Sequence, residues 1–106
     1  MDWNAEVSRL LQELGETPDA VAAALRANKV RGVRNAARDL NPIVRYVQVR
    51  LRDESIDMDV IRPGRLSIHF RTATAPTQEV PIPEAILQFL AAFNRGGYPD
   101  LELEFS

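Results

Sequence analysis

Asn41-Pro42-Ile43-Val44-Arg45-Tyr46-Val47-Gln48-Val49-Arg50-Leu51-Arg52 contains two conflicting periodicities. Asn41 before Pro42 is a helix-start signature. The amide oxygen can accept from freed backbone N–H groups, and proline has φ fixed near the helical value. Ile43, Val44 and Val47 then fall on one helical face. From Val47 onward, Val47, Val49 and Leu51 alternate with Gln48, Arg50 and Arg52, which is the period of a strand. The spacing predicts a helix starting at Pro42 and leaves residues 47–52 open between helix and strand. As a strand, 47–52 would pair with the next segment through a four-residue loop. Leu51 would then face Ile56, Val49 face Met58, Val47 face Val60 and Arg50 face Asp57, making a three-stranded meander.

Upstream the chain reads as helices. Trp3, Val7, Leu10, Leu11 and Leu14 recur at helical spacing before Gly15. Thr17-Pro18-Asp19 supplies a cap, a proline for the first turn and an early carboxylate, with Val21, Ala24 and Leu25 on the inner side. A third helix is expected over residues 31–40. There Val33, Ala36, Ala37 and Leu40 would face inward and Arg31, Arg34, Asn35 and Arg38 outward, with Gly32 weakening its start.

Downstream, Ile56, Met58 and Val60 alternate with aspartates, and Leu66, Ile68 and Phe70 alternate with polar residues. Pro63-Gly64 between them signals a hairpin. A two-residue loop would set Val60 opposite Ser67, on the wrong face. An odd loop instead sets Val60 against Leu66 or Ile68, with Gly64 at the positive-φ position of a bulged turn. Pro83-Glu84 opens a helix striped by Ile86, Phe89, Leu90 and Phe93 and ended by Gly96-Gly97. Leu101, Leu103 and Phe105 suggest a last strand. The expected class is α+β in one small domain over residues 1–106. It has three or four N-terminal helices, an antiparallel hairpin or three-stranded meander, one C-terminal helix and a short last strand.

The 106 residues include no cysteine and one histidine, so thiolate chemistry, disulfides and most histidine-based metal sites are excluded. The formal charge of −2 conceals an uneven distribution. Residues 1–25 carry one basic and five acidic groups, residues 26–52 eight basic and one acidic, and residues 53–106 four basic and nine acidic. Twelve of the thirteen basic residues are arginine, a skew associated with GC-rich bacterial or phage coding. The acidic start, the missing cysteines and the lack of a long apolar run predict a cytoplasmic protein with no membrane segment.

The segments Thr17-Pro18-Asp19 through Leu25, Val30-Arg31-Gly32-Val33-Arg34, Asn41 through Val47, and Phe93-Asn94-Arg95-Gly96-Gly97-Tyr98-Pro99-Asp100-Leu101 resemble a group of short uncharacterised bacterial proteins. In that group a Cys-Pro-Ile/Leu-Ala-x-Tyr-Leu stretch precedes strands, and a Phe-Asp-x-Gly-x-Tyr-Pro-x-Leu stretch closes the chain. Asn41 stands where the group usually has cysteine, so a thiol role is absent here. The resemblance implies a small stand-alone bacterial domain and no assigned activity.

Arg31, Arg34 and Arg38 fall at i, i+3 and i+7, and arginine's planar fork suits phosphates, carboxylates and guanine edges. As a third helix followed by a hairpin, this segment is also similar to a helix-turn-helix recognition helix with a wing. Acidic flanks argue for arginines paired within the domain or offered to a protein. Ser67 and His69 sit opposite Asp57 or Asp59, but no helix N-terminus or glycine-rich turn would build an oxyanion hole, so a cross-strand charge pair is expected. The Asp57/Asp59 and Glu102/Glu104 pairs read as solvent-side charge, and Phe89 and Phe93 as core. The expected function is a non-enzymatic binding or adaptor module, without cofactor or metal. It would use Arg31, Arg34, Asn35, Arg38 and Arg45 toward an acidic protein partner or a second copy of itself. A nucleic-acid-binding protein is the alternative.

Overall fold

The computed structural model describes residues 3–36, 40–52, 56–61, 64–70 and 78–103. Its helices are α1 (Trp3–Glu13), α2 (Pro18–Ala27), α3 (Pro42–Leu51) and α4 (Glu84–Asn94), and its strands are β1 (Ile56–Ile61), β2 (Arg65–Phe70) and β3 (Gln78–Pro81). The strands form one antiparallel sheet in chain order, with β2 central. α1 lies against β3, α3 against α1 and β1, and α2 against α4.

Local chemistry sets the helix boundaries. The Thr17 hydroxyl accepts from the Ala20 amide at 3.1 Å, and Pro18 begins α2. The Asn41 side-chain oxygen accepts from Ile43 N–H at 2.9 Å and Val44 N–H at 3.3 Å, and its amide group donates to the Ala36 carbonyl at 2.9 Å. Asn41 is the one buried polar residue among the described residues, and both ends of its side chain are satisfied.

Residues 47–51 resolve as helix. The continued helix buries Val47 with Ile43, Val44 and Tyr46. Arg52 closes the helix in the left-handed conformation, φ 53°, its amide bonded to the Gln48 carbonyl. The meander that needed 47–52 as a strand does not form. The third strand of the sheet is instead β3, which pairs with β2 and not with β1.

The hairpin register sets Val60 opposite Leu66 and Ile61 opposite Arg65, one of the two odd-loop pairings expected. Gly64 has φ +71°, and a Cβ there would lie 3.1 Å from Leu87 on α4. Arg62 and Pro63 lie outside the described residues.

The helix expected over residues 31–40 is absent from residues 31–36 and 40, while 37–39 lie outside the described residues. Instead the Gly32 amide donates to the Leu101 carbonyl and the Gly32 carbonyl accepts from Leu103 N–H, both at 2.9 Å, a parallel bridge between Gly32 and Glu102. Val33 N–H bonds the Leu40 carbonyl at 2.7 Å, and Asn35 turns through φ +62°. Of the expected last strand the described residues show this bridge, preceded by a 3-10 turn over Pro99–Leu101; Glu104 and Phe105 lie outside the described residues.

Leu10, Leu11, Leu14, Leu25, Ile43, Tyr46, Met58, Phe89 and Phe93 supply the largest fully buried side chains. The Phe89 and Phe93 rings stack at 5.7 Å, so this stripe is core as expected. Truncating either to alanine would cost about 3–5 kcal/mol.

Candidate functional site

The arginine-rich segment is split between the extended and turn residues 30–36 and helix α3. Three of its arginines are met by carboxylates from the two acidic flanks. Arg26, at the end of α2, holds Asp100 through Nε–Oδ2 at 2.5 Å and a second nitrogen at 3.2 Å. This contact raises the pKa of the guanidinium and holds the Asp100 carboxyl below its ordinary range, with Arg31 adding to the latter effect. Arg34 Nε lies 2.9 Å from Glu102. Arg50 on α3 lies 3.2 Å from Glu13 on α1 and also donates to the Tyr46 hydroxyl at 3.1 Å. Glu13 is shared with Arg9, at 2.6 Å, and Arg9 also pairs with Glu6.

The sequence-predicted site residues therefore separate. Arg31 and Arg34 leave a loop rather than one helix face, and Arg34 is ion-paired. Asn35 donates its backbone N–H to the Asn94 side chain at 2.9 Å, which fixes the turn against the end of α4. Arg38 lies outside the described residues. Arg45 stands on α3, half-buried, with its Nε buried and unbonded among the described residues.

Lys29 and Arg31 also have no ion pair among the described residues; what sets the outer side of α3 apart is an exposed apolar side chain beside its unpaired arginines. Arg45 and Val49 are spaced i, i+4, hence on one side of the helix, and Arg52 follows at its left-handed C-cap. Neither arginine has an ion pair among the described residues, and Val49 between them is 52% exposed. Leu40, just before the Asn41 cap, is the other exposed large apolar residue of the described set, at 42%. The alternation that left 47–52 open in the sequence is also what exposes Val49: a residue apolar in a strand pattern has no inward place on this helix. Arg52 and Val49 were not singled out from the sequence.

Tyr98 and Asp19 join the C-terminal segment to α2. The Tyr98 hydroxyl donates to the Asp19 carboxylate at 2.9 Å, and its ring packs 5.0 Å from Phe89. Desolvation, then the bond to Asp19, raises the tyrosine pKa above its ordinary value. In the hairpin, Asp57 is the partner of His69 and Asp59 the partner of Ser67. Among the described residues no group of three or more histidine, cysteine, aspartate or glutamate side chains could hold a metal ion, and no helix is long and apolar enough to cross a membrane. Comparison with family models, curated proteins and solved structures finds no match to this chain.

Proposed function

We propose that this chain is a non-enzymatic binding module that offers the outer side of α3 to an acidic protein partner. One contrast carries the reading. Arg26, Arg34 and Arg50 are taken up by Asp100, Glu102 and Glu13, while among the described residues Arg45 and Arg52 have no ion pair and Val49, between them in sequence, is exposed. An amphipathic acidic segment fits that pattern, with carboxylates for the guanidiniums and an aliphatic side chain for Val49. The nucleic-acid reading has less support, because residues 31–36, which would open its recognition helix, form a bridge and a turn.

The test is titration of two labelled probes, an amphipathic glutamate/leucine helical peptide and random duplex DNA, across a salt series. The reading expects peptide binding that is lost in Arg45→Ala/Arg52→Ala and weakened in Val49→Asp, with no change in the helical circular dichroism of either variant. Tighter binding to duplex DNA than to the peptide, falling steeply with salt, would overturn it. So would a concentration-dependent dimer in light scattering that the Val49→Asp change abolishes, since α3 would then serve self-association.

A further inference from the structure

The two edges of the sheet differ in the backbone groups they present, and the register fixes which. Beyond the Arg65–Pro81 pair, β2 and β3 are joined by the Ile82 N–H, which donates to the Gly64 carbonyl at 2.9 Å. Hydrogen-bonded and non-hydrogen-bonded pairs alternate along an antiparallel ladder. Leu66–Val80 and Ile68–Gln78 are therefore hydrogen-bonded and Arg65–Pro81 is not, as the missing proline N–H requires. Arg65, Ser67 and His69 accordingly turn their backbone groups toward β1, where they meet Ile61, Asp59 and Asp57. The N–H and C=O groups of Ile56, Met58 and Val60 then point away from β2, and among the described residues no strand pairs with that side. On β3 the outward positions are Glu79 and Pro81, which leaves one outward N–H and a proline-blunted edge.

We propose that the outer edge of β1 is a strand-addition site for a basic extended segment of another protein. The backbone groups of Ile56, Met58 and Val60 seat the segment, and the residues between them select it. Asp57 and Asp59 hold the non-hydrogen-bonded positions toward an incoming antiparallel strand. Opposite Cα atoms come within about 4.5 Å there, so cross-strand pairs interact most closely. Lysine or arginine two residues apart fits opposite the aspartates. Apolar residues fit opposite Ile56, Met58 and Val60, the face on which Met58 is buried. β2 meets the inner side of β1 with a similar pattern, His69 opposite Asp57 and Ile68 and Leu66 opposite Met58 and Val60. A second copy of the chain does not fit. Antiparallel pairing of two β1 strands about Met58 would set Asp57 of each against Asp59 of the other, a like-charge clash made twice. None of these residues belongs to the outer side of α3, so the proposal does not rest on that assignment.

The experiment uses the full chain and an acetylated, fluorescein-labelled peptide of five residues that alternates valine and lysine, with valine at both ends. Methylating the three valine backbone nitrogens should abolish binding, because those N–H groups face β1, whereas methylating the two lysine backbone nitrogens should spare it. Asp57→Asn/Asp59→Asn should weaken binding about 2- to 30-fold, the range set by two cross-strand charge pairs. Arg45→Ala/Arg52→Ala should leave it unchanged. Absent binding, or binding indifferent to valine methylation or to the two aspartates, would overturn the proposal. Amide hydrogen exchange on the unsubstituted chain gives a reading that needs no variant. The Met58 and Val60 amides should exchange faster than those of Asp57 and Asp59, and should slow when the peptide is added. Met58 and Val60 amides protected as well as that of Asp59 in the free chain would show the edge already covered, and would refute the site. Protection that grows with protein concentration, alongside a dimer in light scattering, would overturn it in favour of a second copy.

Discussion

Replacing Gly32 with alanine tests the fold by the sign of its effect. The Cβ would stand 2.6 Å from both Cδ and N of Pro42 and 2.7 Å from the Leu40 carbonyl oxygen. None of these can swing aside. Pro42 is fixed by the Asn41 cap, and the Leu40 carbonyl accepts from Val33 N–H. Relief therefore requires the 31–33 backbone to move away from its two 2.9 Å bonds with residues 101 and 103. Overpacking of about 1–3 kcal/mol, plus about 1 kcal/mol for each weakened bond, less about 0.4–1 kcal/mol from a stiffer unfolded chain, leaves a destabilisation of about 2–4 kcal/mol. That corresponds to a fall of about 10–25 °C in Tm for a domain of this size. Urea unfolding followed by circular dichroism, with a thermal scan, measures both. Were residues 31–40 a helix, the same substitution would stabilise the protein by about 1 kcal/mol. A Gly32→Ala protein as stable as the parent, or more so, refutes the bridge and the packing argued from it.

Two further outcomes follow from the same contacts. Asn41→Ala removes the α3 cap and leaves buried amide and carbonyl groups unmet, so a loss of about 1–3 kcal/mol is expected in denaturant unfolding; a loss below about 0.5 kcal/mol would contradict the cap. The C-terminal segment should respond to pH at both extremes. Because Arg26 holds the Asp100 carboxyl low, its contribution is complete above the unfolded carboxylate value and disappears as pH falls through the lower folded one. Asp100→Asn should therefore lose less stability than the parent as pH falls below about 4. Tyr98, raised by desolvation and by Asp19, contributes fully below the unfolded value of 10.0 and loses that contribution as pH climbs through the folded one. Ultraviolet titration should show one tyrosine ionising late, absent in Tyr98→Phe.

What could be read from the residues was whatever local chemistry decides. Thr17-Pro18, Asn41-Pro42 and Pro83-Glu84 marked helix starts because caps and prolines act within one turn. The odd hairpin loop followed from face-matching arithmetic alone. The reading of 31–40 as helix failed because its apolar spacing was right while Gly32 answers to Pro42 and to residues 101–103, which are distant in sequence. Residues 47–52 stayed open because Val49 satisfies the strand pattern, although on the helix it is exposed. The arginines were visible as a cluster; their partners were not. Arg26 and Asp100 are 74 residues apart, and nothing local in either signals the other.

The bridge at Gly32 also bears on the order in which the protein can be built. During synthesis α1, α2 and α3 leave the ribosome with the backbone of residue 32 unpaired and the Arg26 and Arg34 side chains without their carboxylates. The chain cannot close that seam until residues 100–103 emerge. Contacts of such sequence separation form late and slow folding, since the intervening loop must be ordered first. The nascent chain thus has a period in which these backbone groups and arginines are open to other partners, and chaperone surfaces or neighbouring nascent chains would meet them before its own C-terminal segment does.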